Sequence, residues 1–208
     1  MPKSILIYGT KNNDTLTHDG MRDLYAGAGD DTIYLAKNNY SAKIYGEVGN
    51  DTITEGYNGS TNDWVDGGKG NDKILTGAGN DTAQGGDGAD DIWTGAGNDV
   101  SFGGTGSDVF HFNYERQYAG YDYVTGEYTY ETVWKDGSDV IKDFNVAQDH
   151  LKIEGPDYYY GSGSAPDVQV KDTAAGTWVG FTDGSGVLLE KVHGYDSAAD
   201  ASNWLHIA

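Results

Sequence analysis

The sequence predicts an all-β fold: a right-handed parallel β-roll over residues 1–111, then a β-rich C-terminal cap over 112–208. Three observations predict it. Six nine-residue units run without a break from Asn58 to His111: NGSTNDWVD, GGKGNDKIL, TGAGNDTAQ, GGDGADDIW, TGAGNDVSF and GGTGSDVFH. Each has Gly at position two and Asp at position six, and most carry an apolar residue at position eight. Acidic residues outnumber basic ones 33 to 13, for a net charge of −20. Such a Gly-rich acidic chain would be disordered by composition alone, but its 12% aromatics and regular apolar spacing predict a fold that depends on cations.

The pattern decays upstream. AGAGDDTIY (26–34) and GEVGNDTIT (46–54) are clear copies, and GTKNNDTLT (9–17) is a weak one. The stretches 18–25 and 37–45 keep Leu24 and Ile44 at position eight and lose the Gly-Asp turn. Residues 1–57 therefore form the degenerate part of the roll and 58–111 the regular part. Small insertions fall at Leu35–Ala36 and Glu55–Tyr57.

Two half-turns make one coil of 18 residues, so alternate units stack on the same side. Odd units then place Leu16, Ile33, Ile53, Ile74, Ile92 and Phe110 in one inward column. Even units place Leu24, Ile44, Val65, Ala83 and Ser101 in the other, which shrinks toward the C-terminus.

The turns obey the same parity. Every odd unit carries the position-six carboxylate: Asp14, Asp31, Asp51, Asp72, Asp90 and Asp108. Even units carry it only from Asp63, followed by Asp81 and Asp99. These aspartates are the candidate metal ligands, together with carbonyls that the glycines turn inward. The glycines are Gly27, Gly29, Gly49, Gly59, Gly68, Gly70, Gly77, Gly79, Gly86, Gly88, Gly95, Gly97, Gly104 and Gly106, with Gly46 heading its unit. Ca²⁺ takes six to eight oxygens, which carbonyls and one Asp from each of two stacked turns supply; Mg²⁺ demands a tighter octahedron. One ion between each stacked pair gives five sites on the odd side and two on the even side. Seven Ca²⁺ would bring the net charge from −20 to about −6. The metal-free chain is expected to be largely unfolded.

These repeats resemble the RTX, or haemolysin-type calcium-binding, family of bacterial secreted proteins over residues 9–111. Weaker similarity follows in GSDVIKDFNVAQDHLKIEG (137–155) and DGSGVLLEKVHGYDSAAD (183–200). Similar segments follow the roll in serralysin-type proteases and in the R-modules of alginate epimerases. The resemblance implies export of an unfolded chain by type I secretion on an uncleaved C-terminal signal. Folding by Ca²⁺ then follows outside the cell. Glu47, replacing the second Gly of its unit, and the Tyr-rich stretch 113–136 depart from the family pattern.

Beyond His111 the repeat is lost. DVIKDF, DHLKIEG, DVQVKD, TWVGFT and GVLLEKV predict short strands separated by turns. The insertion carries Tyr121, Tyr123, Tyr128, Tyr130 and Trp134, and its alternation predicts a hairpin. These aromatics are read as covering the sheet or the roll's open end, with sugar stacking or partner anchoring as the alternative. Tyr158, Tyr159 and Tyr160 mark a loop with the same two readings. Asp139, Asp143 and Asp149 are read as solvated turn residues or caps of strand ends; a further Ca²⁺ at the roll–cap junction is the alternative. His111 is read as a surface or cap residue.

No catalytic constellation emerges. The five histidines are scattered without an HExxH, no GxSxG elbow is present, and the chain has no cysteine. GGKGNDK lacks the GK[ST] of a phosphate loop. Position five is Asn-rich, but position three mixes Lys11, Val48 and Asp87, which argues against a regular ice-binding array. The acidic balance disfavours nucleic acid, and the N-terminal apolar run is too short for membrane insertion. The expectation is a non-enzymatic Ca²⁺-binding module supporting the secretion, folding and stability of an extracellular protein. The alternatives are an accessory polysaccharide-binding module, holding an acidic polysaccharide, and a small adhesion or matrix protein.

Overall fold

The computed structural model describes residues 6–18, 23–35, 40–55, 60–124, 127–134, 136–155, 168–181 and 184–207. Among them the chain is all-β and no helix is long and apolar enough to cross a membrane. The strands of the roll are β1 (Ile7–Tyr8), β2 (Thr15–His18), β3 (Leu24–Ala28), β4 (Thr32–Leu35), β5 (Lys43–Val48) and β6 (Thr52–Glu55). They continue as β7 (Trp64–Lys69), β8 (Lys73–Leu75), β9 (Thr82–Asp87), β10 (Asp91–Trp93) and β11 (Val100–Thr105). Then come β12 (Val109–Asp122), β13 (Glu127–Trp134), β14 (Ser138–Ile141) and β15 (His150–Glu154). The last are β16 (Gln169–Asp172), β17 (Gly176–Gly180), β18 (Gly186–Glu190) and β19 (Leu205–Ile207).

Two sheets face each other in a parallel β-solenoid. The first runs β1-β3-β5-β7-β9-β11-β14-β18-β17-β16 and the second β19-β15-β12-β10-β8-β6-β4-β2. The parity of the nonapeptides accounts for this: each half-turn delivers its position-eight residue to one sheet and the next half-turn delivers to the other. The odd column pairs in register as Leu16, Ile33, Ile53, Ile74, Ile92 and Phe110, and goes on through Leu151 and Leu205. The even column pairs Leu24, Ile44, Val65, Ala83 and Ser101, and is extended by Ile7 before it and Ile141 and Leu189 after it. Shrinkage of the even column therefore stops at Ser101. Beyond it Phe110, Phe144 and Trp204 fill the end of the core, with ring centroids 5.9 Å and 5.3 Å apart.

The parallel ladders do not end at His111. β14 pairs with β11 and β15 pairs with β12, both parallel, so the roll resumes after the insertion. The insertion itself is the expected hairpin: β12 runs out of the roll and returns antiparallel as β13. The five strands expected downstream correspond to β14 to β18; β19, three residues long, gave no sequence signal. β16, β17 and β18 close the first sheet with antiparallel pairing.

Two features were not anticipated. On the first sheet Tyr8, Tyr25, Tyr45 and Trp64 form a ladder along the solenoid, with centroid spacings of 5.4, 4.5 and 4.9 Å. His111 is not a surface residue: it is buried, stacked 3.7 Å from Trp93. Its ring nitrogens lie 3.0 Å from Asp91 and 3.1 Å from Glu154. Its strand is the middle one of β10, β12 and β15, so its neighbours on both sides close over it.

Ile74 sits fully buried at the centre of the odd column. Ile74→Ala is expected to cost about 2–4 kcal/mol, read as a shift of the denaturation midpoint in saturating Ca²⁺. A cost below about 0.5 kcal/mol would mean that the column does not form the core.

Candidate metal centre

The stacked turns place the aspartates one above another, and one geometry repeats at every step. The backbone N–H of Asp14 donates to Oδ1 of Asp31, that of Asp31 to Asp51, Asp51 to Asp72, Asp72 to Asp90 and Asp90 to Asp108, at 2.7–3.0 Å. On the other side Asp63 donates to Asp81 and Asp81 to Asp99, at 2.7 and 2.6 Å. One oxygen of each carboxylate is thereby fixed to the preceding coil.

The other oxygen is left without a protein partner. Oδ2 of Asp31, Asp51, Asp72, Asp90 and Asp108 in the long column is buried and accepts no hydrogen bond, as is Oδ2 of Asp81 and Asp99 in the short one. Buried polar atoms of this kind are rare because each forfeits its hydration. At the start of each column the pattern differs: Oδ2 of Asp14 accepts from Thr10 N–H at 2.6 Å, and the carboxylate of Asp63 accepts from the Thr61 hydroxyl. Desolvation is the leading cause that raises these carboxyls in the protein alone. Asp51, Asp72 and Asp99 are pushed up to about 6, and Asp81, Asp90 and Asp108 to about 7. Neighbouring aspartates add to the shift at each of these except Asp99.

The donor set fits a hard cation. No cluster of three or more His, Cys, Asp or Glu side chains occurs among the described residues, so carboxylates alone do not make a cage. Backbone carbonyls must supply the balance, which is the oxygen-only coordination that Ca²⁺ takes. The turn glycines permit the required stacking: a Cβ on Gly86, whose φ is 117°, would run into the carbonyl oxygen of Gly68 one coil below. Positions two and four of the described units hold positive φ throughout Gly27, Gly29, Gly49, Gly68, Gly70, Gly77, Gly79, Gly86, Gly88, Gly95, Gly97, Gly104 and Gly106. Gly59 lies outside the described residues. Glu47 takes the same left-handed turn as a non-glycine, with φ 74°.

Gly46 plays another part. Its φ is not in the left-handed range, but a Cβ there would sit 2.5 Å from Oδ2 of Asp51. Gly67, Gly85 and Gly103 stand in the same relation to Asp72, Asp90 and Asp108. Sequence reasoning singled out Gly46 but missed Gly67, Gly85 and Gly103, although the signal was there: every odd unit except 26–34, which begins with Ala26, opens with Gly where even units carry Thr76 or Thr94.

The position-five side chains lace the coils in the opposite sense. Asn13 Oδ1 accepts from Asp30 N–H, Asn50 from Asn71, Asn71 from Ala89, Asn62 from Asn80 and Asn80 from Asn98, at 2.7–3.0 Å. They are thus engaged with backbone rather than set out as a water-ordering surface.

Asp139 and Asp149 are buried, which corrects their reading as solvated turn residues. Each continues a ladder: Asp99 N–H donates to Asp139 Oδ1 at 2.8 Å and Asp108 N–H to Asp149 Oδ1 at 3.1 Å. Asp143 instead accepts from the N–H groups of Gly103 and Gly104. Of the candidate aromatic residues, Tyr123 is exposed at the hairpin tip. For Tyr121, Tyr128, Tyr130 and Trp134 the description extends to backbone register and not to side chains, and Tyr158, Tyr159 and Tyr160 lie outside it.

A parallel β-solenoid with columns of half-satisfied buried carboxylates in glycine turns is a cation-binding roll. Residues 23–40, 57–82 and 75–110 match the RTX calcium-binding nonapeptide repeat. Those residues are thus similar to a non-catalytic repeat that binds Ca²⁺, and the parallel β-solenoid they form is consistent with its β-roll. None of the curated proteins matches the chain.

Two outcomes follow from this geometry. A carboxyl raised from 3.8 to about 6–7 holds its proton in the metal-free fold while the unfolded chain has released it. Metal-free stability is therefore greatest below about pH 4 and falls as pH rises toward 7. In chelator, far-UV circular dichroism is expected to show more β-structure at pH 5 than at pH 8; the opposite order would contradict carboxylate stacking. Glu47→Gly should stabilise the Ca²⁺-loaded chain by about 1 kcal/mol by relieving the left-handed turn, with Glu47→Gln unchanged. Equal denaturation midpoints for Gly and wild type would show that the turn is unstrained.

Proposed function

We propose that this chain is a Ca²⁺-binding β-roll module that folds when it meets Ca²⁺ outside the cell and supports the secretion, folding and stability of an extracellular protein. The unpartnered Oδ2 atoms carry this reading. Adjacent coils lie about 4.8 Å apart, so two ionised carboxylates at that spacing repel by roughly 3 kcal/mol at an effective dielectric of 20. Several such pairs exceed the 5–15 kcal/mol by which ordinary domains are stable. Proton uptake or a cation must relieve them. At neutral pH and millimolar Ca²⁺ the cation does so, with the position-six aspartates and turn carbonyls as its ligands. A chain that stays unfolded until then suits export through a narrow conduit by type I secretion, and its lack of cysteine leaves nothing to cross-link on the way.

The test is a Ca²⁺ titration followed by circular dichroism, with Mg²⁺ at equal concentration as control. A cooperative coil-to-β transition with Ca²⁺ alone supports the reading. A chain folded in chelator at pH 8 would refute it.

A second reading, an accessory module holding an acidic polysaccharide, is favoured by the register of the hairpin. Tyr114 faces Trp134, Arg116 faces Thr132 and Tyr118 faces Tyr130; a bulge between Tyr118 and Gly120 then brings Tyr121 opposite Tyr128. Without that extra residue Tyr121 would fall on the other side of the ribbon. The bulge thus gathers the aromatic positions on one face around a single arginine, and leaves Glu115, Glu131, Asp122 and Glu127 positions on the other. Aromatic rings for sugar faces and a guanidinium for carboxylates suit a polyuronate. A glycan array in Ca²⁺ is expected to show uronate binding that Arg116→Ala and Tyr121→Ala weaken at least tenfold. No sugar bound by the wild type, with and without Ca²⁺, removes this reading.

A further inference from the structure

We infer that the short carboxylate column holds one more ion than its repeats provide, between Asp99 and Asp139, where it closes the base of the hairpin. The inference rests on the Ca²⁺-binding reading above and places an ion outside the matched repeats, which end at residue 110.

Asp139 stands 40 residues beyond Asp99 in the sequence and one coil beyond it in space. Segment 134–142, WKDGSDVIK, reproduces a nonapeptide at positions four, five, six and eight. Gly137 holds position four with φ 93° and forms a parallel bridge to Gly97. Ser138 N–H donates to Asn98 Oδ1 at 3.1 Å, continuing the position-five lacing. Asp139 holds position six, accepting from Asp99 N–H at 2.8 Å, and Ile141 holds position eight beside Ser101.

The second oxygen decides the matter. Oδ2 of Asp139 is buried and accepts no hydrogen bond, as in the interior members of both columns, and Asp99 beneath it is in the same condition. The residue that ends the long column behaves otherwise: Asp149 Oδ2 accepts from Asn145 N–H at 2.7 Å. The long column therefore closes on itself at Asp149, and the short column stays open for a cation at Asp139. The pattern assigns five ions to the long side and three to the short side, eight in place of the seven that the repeats alone imply.

The ion would do more than add charge balance. Asp136, three residues earlier on the same turn, is buried and its carboxylate accepts the N–H of Asn113, where the chain leaves the roll to form the hairpin. Gly97 N–H donates to the Asp136 carbonyl at 3.0 Å. An ion between Asp99 and Asp139 thus ties the strand that enters the hairpin to the turn that leaves it, and Ca²⁺ occupancy there sets whether the hairpin is anchored.

The experiment counts ions in the full chain by native mass spectrometry at saturating Ca²⁺, comparing wild type, Asp139→Asn and Asp149→Asn. One ion lost in Asp139→Asn and none in Asp149→Asn is the expected result, together with faster amide exchange at Asn113 in the first variant alone. An unchanged count in Asp139→Asn overturns the inference. Should that variant fail to fold in Ca²⁺, anomalous scattering from a crystal of the wild type decides: a peak between Asp99 and Asp139 supports the site and its absence overturns it. Peaks within the repeats without one at Asp139 would sink this inference alone, whereas no bound Ca²⁺ anywhere would sink the reading beneath it.

Discussion

Each coil of the roll sets a carboxylate beneath the carboxylate of the next, ties one of its oxygens to that neighbour's chain and leaves the other buried. The rest of the molecule is arranged around this constraint. Position one is Gly in every odd unit but the one that opens with Ala26, and at Gly46, Gly67, Gly85 and Gly103 Oδ2 of the same unit's Asp occupies the space of a Cβ. Position five laces the coils from the opposite direction, so the two ladders together resist sliding of one turn over another. The charge excess of the chain follows as well. A sequence that needed no cation would have no reason to bury carboxylates in stacks whose protons are held up to about pH 7.

Coils without that device are held by other means. On the first sheet the N-terminal half-turns lack a position-six Asp before Asp63, and the Tyr8–Tyr25–Tyr45–Trp64 ladder covers that stretch. Tyr25 and Tyr45 lie parallel within 1°, and stacked aromatic pairs contribute on the order of 1 kcal/mol beyond their burial. The ladder ends at Trp64, where the short carboxylate column begins at Asp63. At the far end the aromatic plug of Phe110, Phe144, Trp204 and Tyr195 replaces repeat by cap, since a last coil with an exposed inner face would invite another chain to stack on it.

Period and parity carried the fold into view from the sequence. Position eight named both inward columns, and position six named every interior Asp of the repeats, because both are set by the coil's own geometry. What escaped has a common cause: a nine-residue frame cannot see across an insertion. WKDGSDVIK (134–142) retains Gly at four, Asp at six and Ile at eight, yet the intervening hairpin hid its register with the unit ending at Phe102. His111 escaped for a related reason, since its partners Asp91 and Glu154 lie 20 and 43 residues away on flanking strands. Gly67, Gly85 and Gly103 at position one were visible but went unread, because their function is to leave room for a carboxylate and not to supply a left-handed turn.

The insertions themselves obey a rule. The insertion that begins at Leu35 starts on the last residue of β4, the one that begins at Glu55 starts on the last residue of β6, and the hairpin extends β12; all three strands belong to the second sheet. The long-column turns of the repeats admit none: each spans six residues from position one to its aspartate, from Gly9 and Asp14 to Gly103 and Asp108. Carboxylates stacked at every coil need their turns at fixed height and tolerate no slack, whereas a side with missing aspartates can let the chain wander and return. Loop closure adds little further cost with length, about 0.6 kcal/mol per doubling. The hairpin therefore enters at the one kind of place the roll permits. Its return to Asp139 within 2.8 Å of Asp99 restores the ladder that an insertion would otherwise have ended.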